Sequence, residues 1–400
     1  MTRTINQMQI FENTEIAFKL RNDRELRKAV MLLRLMSYPA VVRLSGILAN
    51  LAIRLGIPVR WIVKPTVFSL FCGGESLVES QKVVDRLAKH KVRSLLDYAA
   101  EDQQTDEKIE SAIREIIATM DYAVKNPAVP FTVFKPTALA PVHILSQTGL
   151  QTEEGKLSCP GTEKFSKNFR TLCQSACKRG IPVMIDAEES HYQQIVDNLA
   201  AEMMELYNKE KVMIFNTIQM YRHDRLDFLK ESIRNARKKN YHLGIKLVRG
   251  AYMEKERERA LKLGYPSPIH PDKESTDNAF NRAITICLEN IDITDLFAGT
   301  HNEQSLLMLM DRMKEYKLEN SDPRIYVSQL YGMSDHISFN MAACNYNVAK
   351  YLPYGPVSYL LPYLIRRAEE NRSVTGQAGR ERRLLKLEIE RRKQFKNKKV

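Results

Sequence analysis

The chain has 400 residues, 44% of them hydrophobic, and a formal charge of +13. That apolar share can bury a large core, so an intrinsically disordered chain is excluded. The long stretches without Asp, Glu, Lys or Arg, residues 136–152 and 351–365, are interrupted by prolines and polar residues, which excludes a membrane span in either.

In chain order, the first 90 residues read as a helical extension. Arg24–Ser37 and Leu44–Leu55 have helical period, and Glu79–Val92 forms a further helix leading into the first strand. Glu12, Glu15 and Asp23 stand near the N-terminus without the compact apolar core of a secretory signal, so a cytoplasmic location is expected. Strands follow at Arg93–Asp97, Phe131–Lys135, Pro182–Asp186, Val212–Gln219, Leu243–Val248, Ile293–Thr300, Arg324–Leu330 and Val348–Pro353. Amphipathic helical pattern fills most intervals, as in Ile195–Lys211, Asp224–Lys239, Thr276–Glu289 and Glu303–Tyr316. Alternating strands and helices imply a parallel sheet, and eight units imply an α/β fold closed as a (βα)8 barrel. The expected organisation is an extension over 1–90 packed on the barrel, the barrel over 91–379 and a tail over 380–400.

The tail carries ten Lys/Arg against three Glu, so +7 of the +13 lies there. No nucleic-acid motif accompanies it, and no nucleic-acid partner is expected. Its leucines, with Ile389 and Phe395, suit either a basic amphipathic helix on an anionic membrane or a solvated helix with a frayed end. Six cysteines are scattered without metal spacing, and Cys173 and Cys177 at i, i+4 read as a reduced pair, so no metal is expected.

Barrel chemistry belongs at the C-terminal ends of the strands, where Lys135, Asp186, Gln219, Lys246, Thr300 and Tyr351 fall. The run Lys246-Leu247-Val248-Arg249-Gly250-Ala251-Tyr252 ends an apolar strand in two cations and a glycine, which suits an anion or an electron-rich ring. Alone, such a run also fits a solvated strand end, or a Schiff-base lysine at Lys246 in a pyridoxal-phosphate barrel. A second group follows the last strand. Tyr363, Arg366, Arg367 and Glu370 can share one helix face, and the adjacent guanidiniums make a fork for a carboxylate or phosphate.

These segments, with Phe71-Cys72-Gly73-Gly74-Glu75-Ser76, Phe134-Lys135-Pro136-Thr137, Ile185-Asp186-Ala187-Glu188, Gly299-Thr300-His301-Asn302-Glu303 and Gln329-Leu330-Tyr331-Gly332-Met333, resemble in order and spacing the proline dehydrogenase family. The resemblance implies a distorted barrel that binds FAD without a Rossmann domain, oxidises L-proline to 1-pyrroline-5-carboxylate by hydride transfer from C5 to flavin N5, and passes electrons to a membrane quinone. It implies that Lys135, Arg366 and Arg367 hold the proline carboxylate while Leu330, Tyr351 and Tyr363 enclose the ring. Asp186 and Lys246 are the implied catalytic pair, Ala187, Gln219, Lys246, Arg249, Gly250, Ala251, Thr300 and His301 the flavin contacts, and Glu75 and Glu370 the gate. Many bacterial relatives read Arg-Leu-Val-Lys where this chain reads Lys-Leu-Val-Arg, so roles at 246 and 249 do not transfer atom for atom. The resemblance leaves 4-hydroxyproline open as an alternative substrate, with Tyr351 expected to cover C4 and favour proline.

Overall fold

The computed structural model describes residues 9–38, 40, 60–148, 160–373 and 377–397. Eight parallel strands close in sequence order: β1 Val92–Tyr98, β2 Phe131–Phe134, β3 Val183–Ile185, β4 Ile214–Gln219, β5 Leu243–Val248, β6 Thr294–Gly299, β7 Ile325–Leu330 and β8 Val348–Tyr354. This is the expected (βα)8 fold. Strands covered on both faces read as continuous apolar runs, and β2, β3 and β4 are buried throughout.

The chain divides into two compact units, residues 95–328 and residues 1–94 with 329–400. In the first, Phe131, Phe215 and Phe297 come from the alternate strands β2, β4 and β6 and meet edge to face at 5.6 Å. Tyr326 completes the cluster, 4.8 Å from Phe131. Alternate strands filling one layer is how a small barrel packs its interior. Gly244 pairs with Phe215 across β4 and β5. A Cβ there would lie 2.3 Å from the Ile214 carbonyl oxygen and 2.8 Å from the Phe215 ring, so a side chain has no room.

The helix expected at Ile195–Lys211 runs from Ser190 to Tyr207. Glu256 receives the Ser190 amide and hydroxyl, both at 2.5 Å, and so starts the helix earlier than its apolar period suggests. Asn208 ends it. Its side chain donates to the carbonyls of Ile214 and His242 and accepts from the amides of Met213 and Ile214, tying the helix end to β4. The expected helix Glu79–Val92 runs instead from Leu77 to Ala88, capped by the Ser76 hydroxyl, and Val92 opens β1. Leu44–Leu55 lies outside the described residues.

In the second unit, the helix Asp23–Met36 has an Asn22/Glu25 capping box and buries Leu26, Ala29, Leu32, Leu33 and Met36. The tail forms the helix Gln377–Asn397. It buries Leu384 and Leu385. Arg380 and Arg383 pair with Glu12, Arg391 with Glu15, and Arg392 and Lys396 with Asp23. Much of its basic charge therefore has intramolecular partners. Glu381 receives the Ser334 amide on both oxygens at 3.1 Å, at the start of the helix Asp335–Ala343. Asp335 in turn binds Arg21 at 2.8 Å and Lys350 at 2.9 Å. Burial opposes its charge, but Lys350 and Arg21 outweigh that and hold the carboxyl at about 2.

Candidate active site

Parallel strands that stop at the same end of a barrel bring their last side chains together. In the unit 95–328, four such residues form an alternating chain of charge. Asp97 on β1 accepts from Lys135, which follows β2. Lys135 lies 3.9 Å from Asp186, which follows β3, and Asp186 also accepts from Lys246 on β5. All but Asp186 are buried. Burial opposes the Lys135 charge, but Asp97, Asp186 and Glu101 outweigh it and hold the ammonium above its ordinary range. Asp186 thus lies between two lysines whose own positions are set by separate strands.

Lys135 is positioned by a second contact. The turn Pro136–Ala138 follows it, and Glu188 accepts the Thr137 amide at 2.9 Å and the Thr137 hydroxyl at 2.7 Å. Burial, reinforced by Glu101, pushes the Glu188 carboxyl up to about 8 against the pull of Thr137 and Lys135.

Arg249 has a different environment from Lys246. Its Nε donates to Asp277 at 2.7 Å, one terminal nitrogen to the Thr300 hydroxyl at 2.5 Å and the other to Ser305 at 2.9 Å. The guanidinium also lies 4.4 Å from the Phe280 ring centre. Only a planar fork satisfies these three directions, whereas Lys246 meets one carboxylate as a point charge. The chain then turns at Gly250, φ 124°, where a Cβ would meet the Tyr221 ring at 2.6 Å. Ala251 is exposed, and Ala187 and His301 are half-buried.

A ligand at these strand ends would find a built acceptor. Gln219, the last residue of β4, donates to the Ala187 carbonyl at 3.4 Å, while its buried Oε1 has no hydrogen-bond partner. With Lys246 on β5, Arg249 just after it and the glycine turn, these strand ends offer a donor and acceptor set suited to a ligand with a polar ring edge and anionic groups.

In the other unit, Tyr351 on β8 is buried, and its carbonyl accepts the Tyr331 amide at 2.9 Å, beside Leu330 at the end of β7. The helix Val357–Ser373 carries Tyr363 and Arg367, both buried, with the guanidinium 5.0 Å from the ring centre. Arg366, on the same helix, is half-buried. The segment 73–75 joins the end of β8 through a Gly74–Tyr354 bridge and hydrogen bonds from Gly73 to Pro353 and from Gly355 to Gly74. Glu75 is thereby held at this strand end, paired with Arg60 at 2.7 Å and with Lys64. The side chain of Glu370 lies outside the described residues.

Asp97, Glu188, Asp277 and Ser305 join these groups without having been singled out from the sequence. Asp97 ended an expected strand and so carried the same signal as Asp186. Glu188 stood in a quoted motif with no role. Asp277 sits on the helix Lys273–Glu289, 28 residues from Arg249, and no local pattern connects them.

Residues 80–380 match the sequence profile of the family described as Proline dehydrogenase. The chain is 30% identical over 433 residues to mitochondrial proline dehydrogenase 1 of Dictyostelium discoideum, covering 97% of this chain and 76% of that one. It is likewise 30% identical over 412 residues to hydroxyproline dehydrogenase of Xenopus laevis, covering 94% and 88%. Among solved structures, proline utilization A of Bdellovibrio bacteriovorus superposes with a TM-score of 0.73 at 18% identity. That alignment covers 94% of this chain and 41% of the other, which is a longer protein.

Proposed function

The chain belongs to the proline dehydrogenase family, and on that premise we propose that it oxidises L-proline to 1-pyrroline-5-carboxylate with bound FAD, a quinone being the final electron acceptor. The observation that carries the reading is the Asp97–Lys135–Asp186–Lys246 chain, which holds two buried cations at the strand ends.

In this reading Lys135, Arg366 and Arg367 bind the proline carboxylate, each contact being charge-assisted. Leu330, Tyr351 and Tyr363 enclose the ring and exclude water from C5. Loss of a hydride from C5 and of the proton on nitrogen leaves the C=N bond of the product. FAD, when bound, supplies the hydride acceptor at that carbon. Lys246 presents positive charge toward the flavin, and Asp186 fixes the direction of both lysines. Gln219, Ala187, Arg249, Gly250, Ala251, Thr300 and His301 are the remaining cofactor contacts, supported by the unpartnered Gln219 oxygen and the glycine turn. Glu75 and Glu370 act as the gate, Glu75 exchanging its Arg60 and Lys64 partners for Arg366 on closure. The ion pair of Lys246 with Asp186 engages the amine with a carboxylate, which suits an electrostatic role better than a Schiff-base lysine.

A reducing cytoplasmic setting suits the five described cysteines, all free thiols. Among the described residues no helix is long and apolar enough to cross a membrane. The test is a visible spectrum of FAD-reconstituted protein followed by dye-linked turnover with L-proline and with trans-4-hydroxy-L-proline. Two flavin bands and proline-dependent reduction are expected. Flavin retained with turnover on hydroxyproline alone would assign the other substrate, and no turnover on either would refute the reading.

A further inference from the structure

Residues 331–334 join β7 to the helix Asp335–Ala343, and buried charge holds their backbone from behind. Lys350 on β8 is 0% exposed. Its ammonium has three donors and meets three acceptors, the Leu330 carbonyl at 3.5 Å, the Met333 carbonyl at 2.5 Å and Asp335 at 2.9 Å. An apolar side chain at 350 would bury as well but could gather none of them. From the other direction, Glu381 of the tail helix takes the Ser334 amide on both oxygens. Arg21 completes the group on Asp335, and Arg392, also of the tail, donates to the Arg21 carbonyl at 2.8 Å.

This loop needs such holding. Ser334 stands in the left-handed region at φ 52°, a conformation that a residue other than glycine keeps only where its surroundings over-determine it. Gly332, at φ 82°, comes so close to Leu70 that a Cβ would lie 2.1 Å from its carbonyl oxygen. Burial opposes the charges of Glu381 and Lys350 alike, raising the carboxyl of the one and lowering the ammonium of the other. What lies at the ends of the loop gives the arrangement its use. Leu330 precedes it, and Tyr331 donates its amide to the Tyr351 carbonyl at 2.9 Å. Successive side chains of a strand point to opposite faces, so Lys350 works from behind β8 while Tyr351 faces the other way. Lys350 thus sets the backbone from which Leu330 and Tyr351 project.

We infer that Lys350 and Glu381 are positioning residues for the wall that encloses the substrate ring, and that the tail helix Gln377–Asn397 is a working part of that wall through Glu381. The inference rests on the reading of Leu330 and Tyr351 as groups that enclose proline.

The ratio of kcat/KM for L-proline to that for trans-4-hydroxy-L-proline tests it, because this ratio does not depend on how much of a preparation is folded. It is measured by dye reduction with the full chain after FAD reconstitution, alongside flavin content and the urea midpoint. Glu381→Ala removes the acceptor of the Ser334 amide, and should raise KM for proline about fivefold or more and lower the ratio about threefold or more, with flavin retained. Glu381→Gln keeps an acceptor oxygen in place and should restore both values. Lys350→Met should shift the ratio in the same direction, and where it does not fold the Glu381 pair decides. Leu385→Ala, a cavity in the same helix, should lower the urea midpoint and leave the ratio unchanged. An unchanged ratio in Glu381→Ala, or an equal shift in Leu385→Ala, would overturn the inference in an enzyme that still oxidises proline. A parent that turns over neither substrate would refute the functional reading itself, and the inference with it.

Discussion

Replacing Glu188 with Gln removes a buried proton site without removing the oxygen that receives the Thr137 amide. Glu188 is 4% exposed, faces Glu101, Lys135 and Tyr192, and is pushed by burial from an ordinary 4.5 up to about 8. The unfolded chain releases this proton near pH 4.5 and the folded chain near 8, so between those values the folded state holds a proton the unfolded state has lost. Stability therefore falls as pH rises across that window and levels off above it. At about 1.4 kcal/mol per pH unit, the interval sets an upper bound of about 5 kcal/mol. The amide of the variant cannot titrate. Glu188→Gln should be within about 1 kcal/mol of the parent at pH 5, where both side chains are neutral, and should become the more stable protein by several kcal/mol at about pH 8.5. Urea unfolding of both proteins at half-unit steps across this range measures the difference directly. A difference that stays constant throughout would show that Glu188 is ionised at every pH in the folded state, with Lys135 and Thr137 outweighing burial.

Arg366→Met or Arg367→Met should raise KM for proline by removing a charge-assisted contact of about 1.5–3 kcal/mol while FAD content is retained, and parallel loss of flavin would contradict the assignment. Tyr351→Ser should lower kcat/KM for proline and narrow the gap to trans-4-hydroxy-L-proline, because in the proposed site it removes the phenol over C4; equal use of both substrates by the parent would remove the steric argument. Lys350→Met leaves Asp335 buried with Arg21 and should lower stability by about 3–5 kcal/mol at pH 7. Since Asp335 is held at about 2, well below its ordinary 3.8, that contribution is full above about pH 4 and should fade as pH drops toward 2, which unfolding curves at neutral and acid pH will show.

The barrel was legible because its strands are short apolar runs bounded by polar residues, and Leu243–Val248 is bounded on both sides by residues unsuited to continue it. Ends were less legible where a distant side chain sets them, as Glu256 does for Ser190. In the site, cations at strand ends announced themselves, since Lys135 and Lys246 interrupt apolar runs. Their partners did so less, because an acid becomes a partner only through tertiary structure. Glu75 shows the same limit: its sequence neighbourhood gives no sign of the pairs with Arg60 and Lys64, fifteen and eleven residues upstream. The tail illustrates it on the largest scale, since five of its ten cations pair with acids near the N-terminus that no local pattern connects to them.

Those tail pairs have a kinetic consequence. Thr14 meets Glu388 across 374 residues of chain and Asp23 meets Arg392 across 369, giving this unit very high contact order. Closing so long a loop from an unstructured chain carries an entropy penalty of about 5 kcal/mol. Prior folding of residues 95–328 would shorten the effective loop, so that segment is expected to form first. On the ribosome the order is stricter still. The helix Asp23–Met36 emerges long before Glu381, Leu384 and Leu385 are made. Until then the N-terminal helices wait without the side chains that complete them, and chaperone engagement should concentrate there.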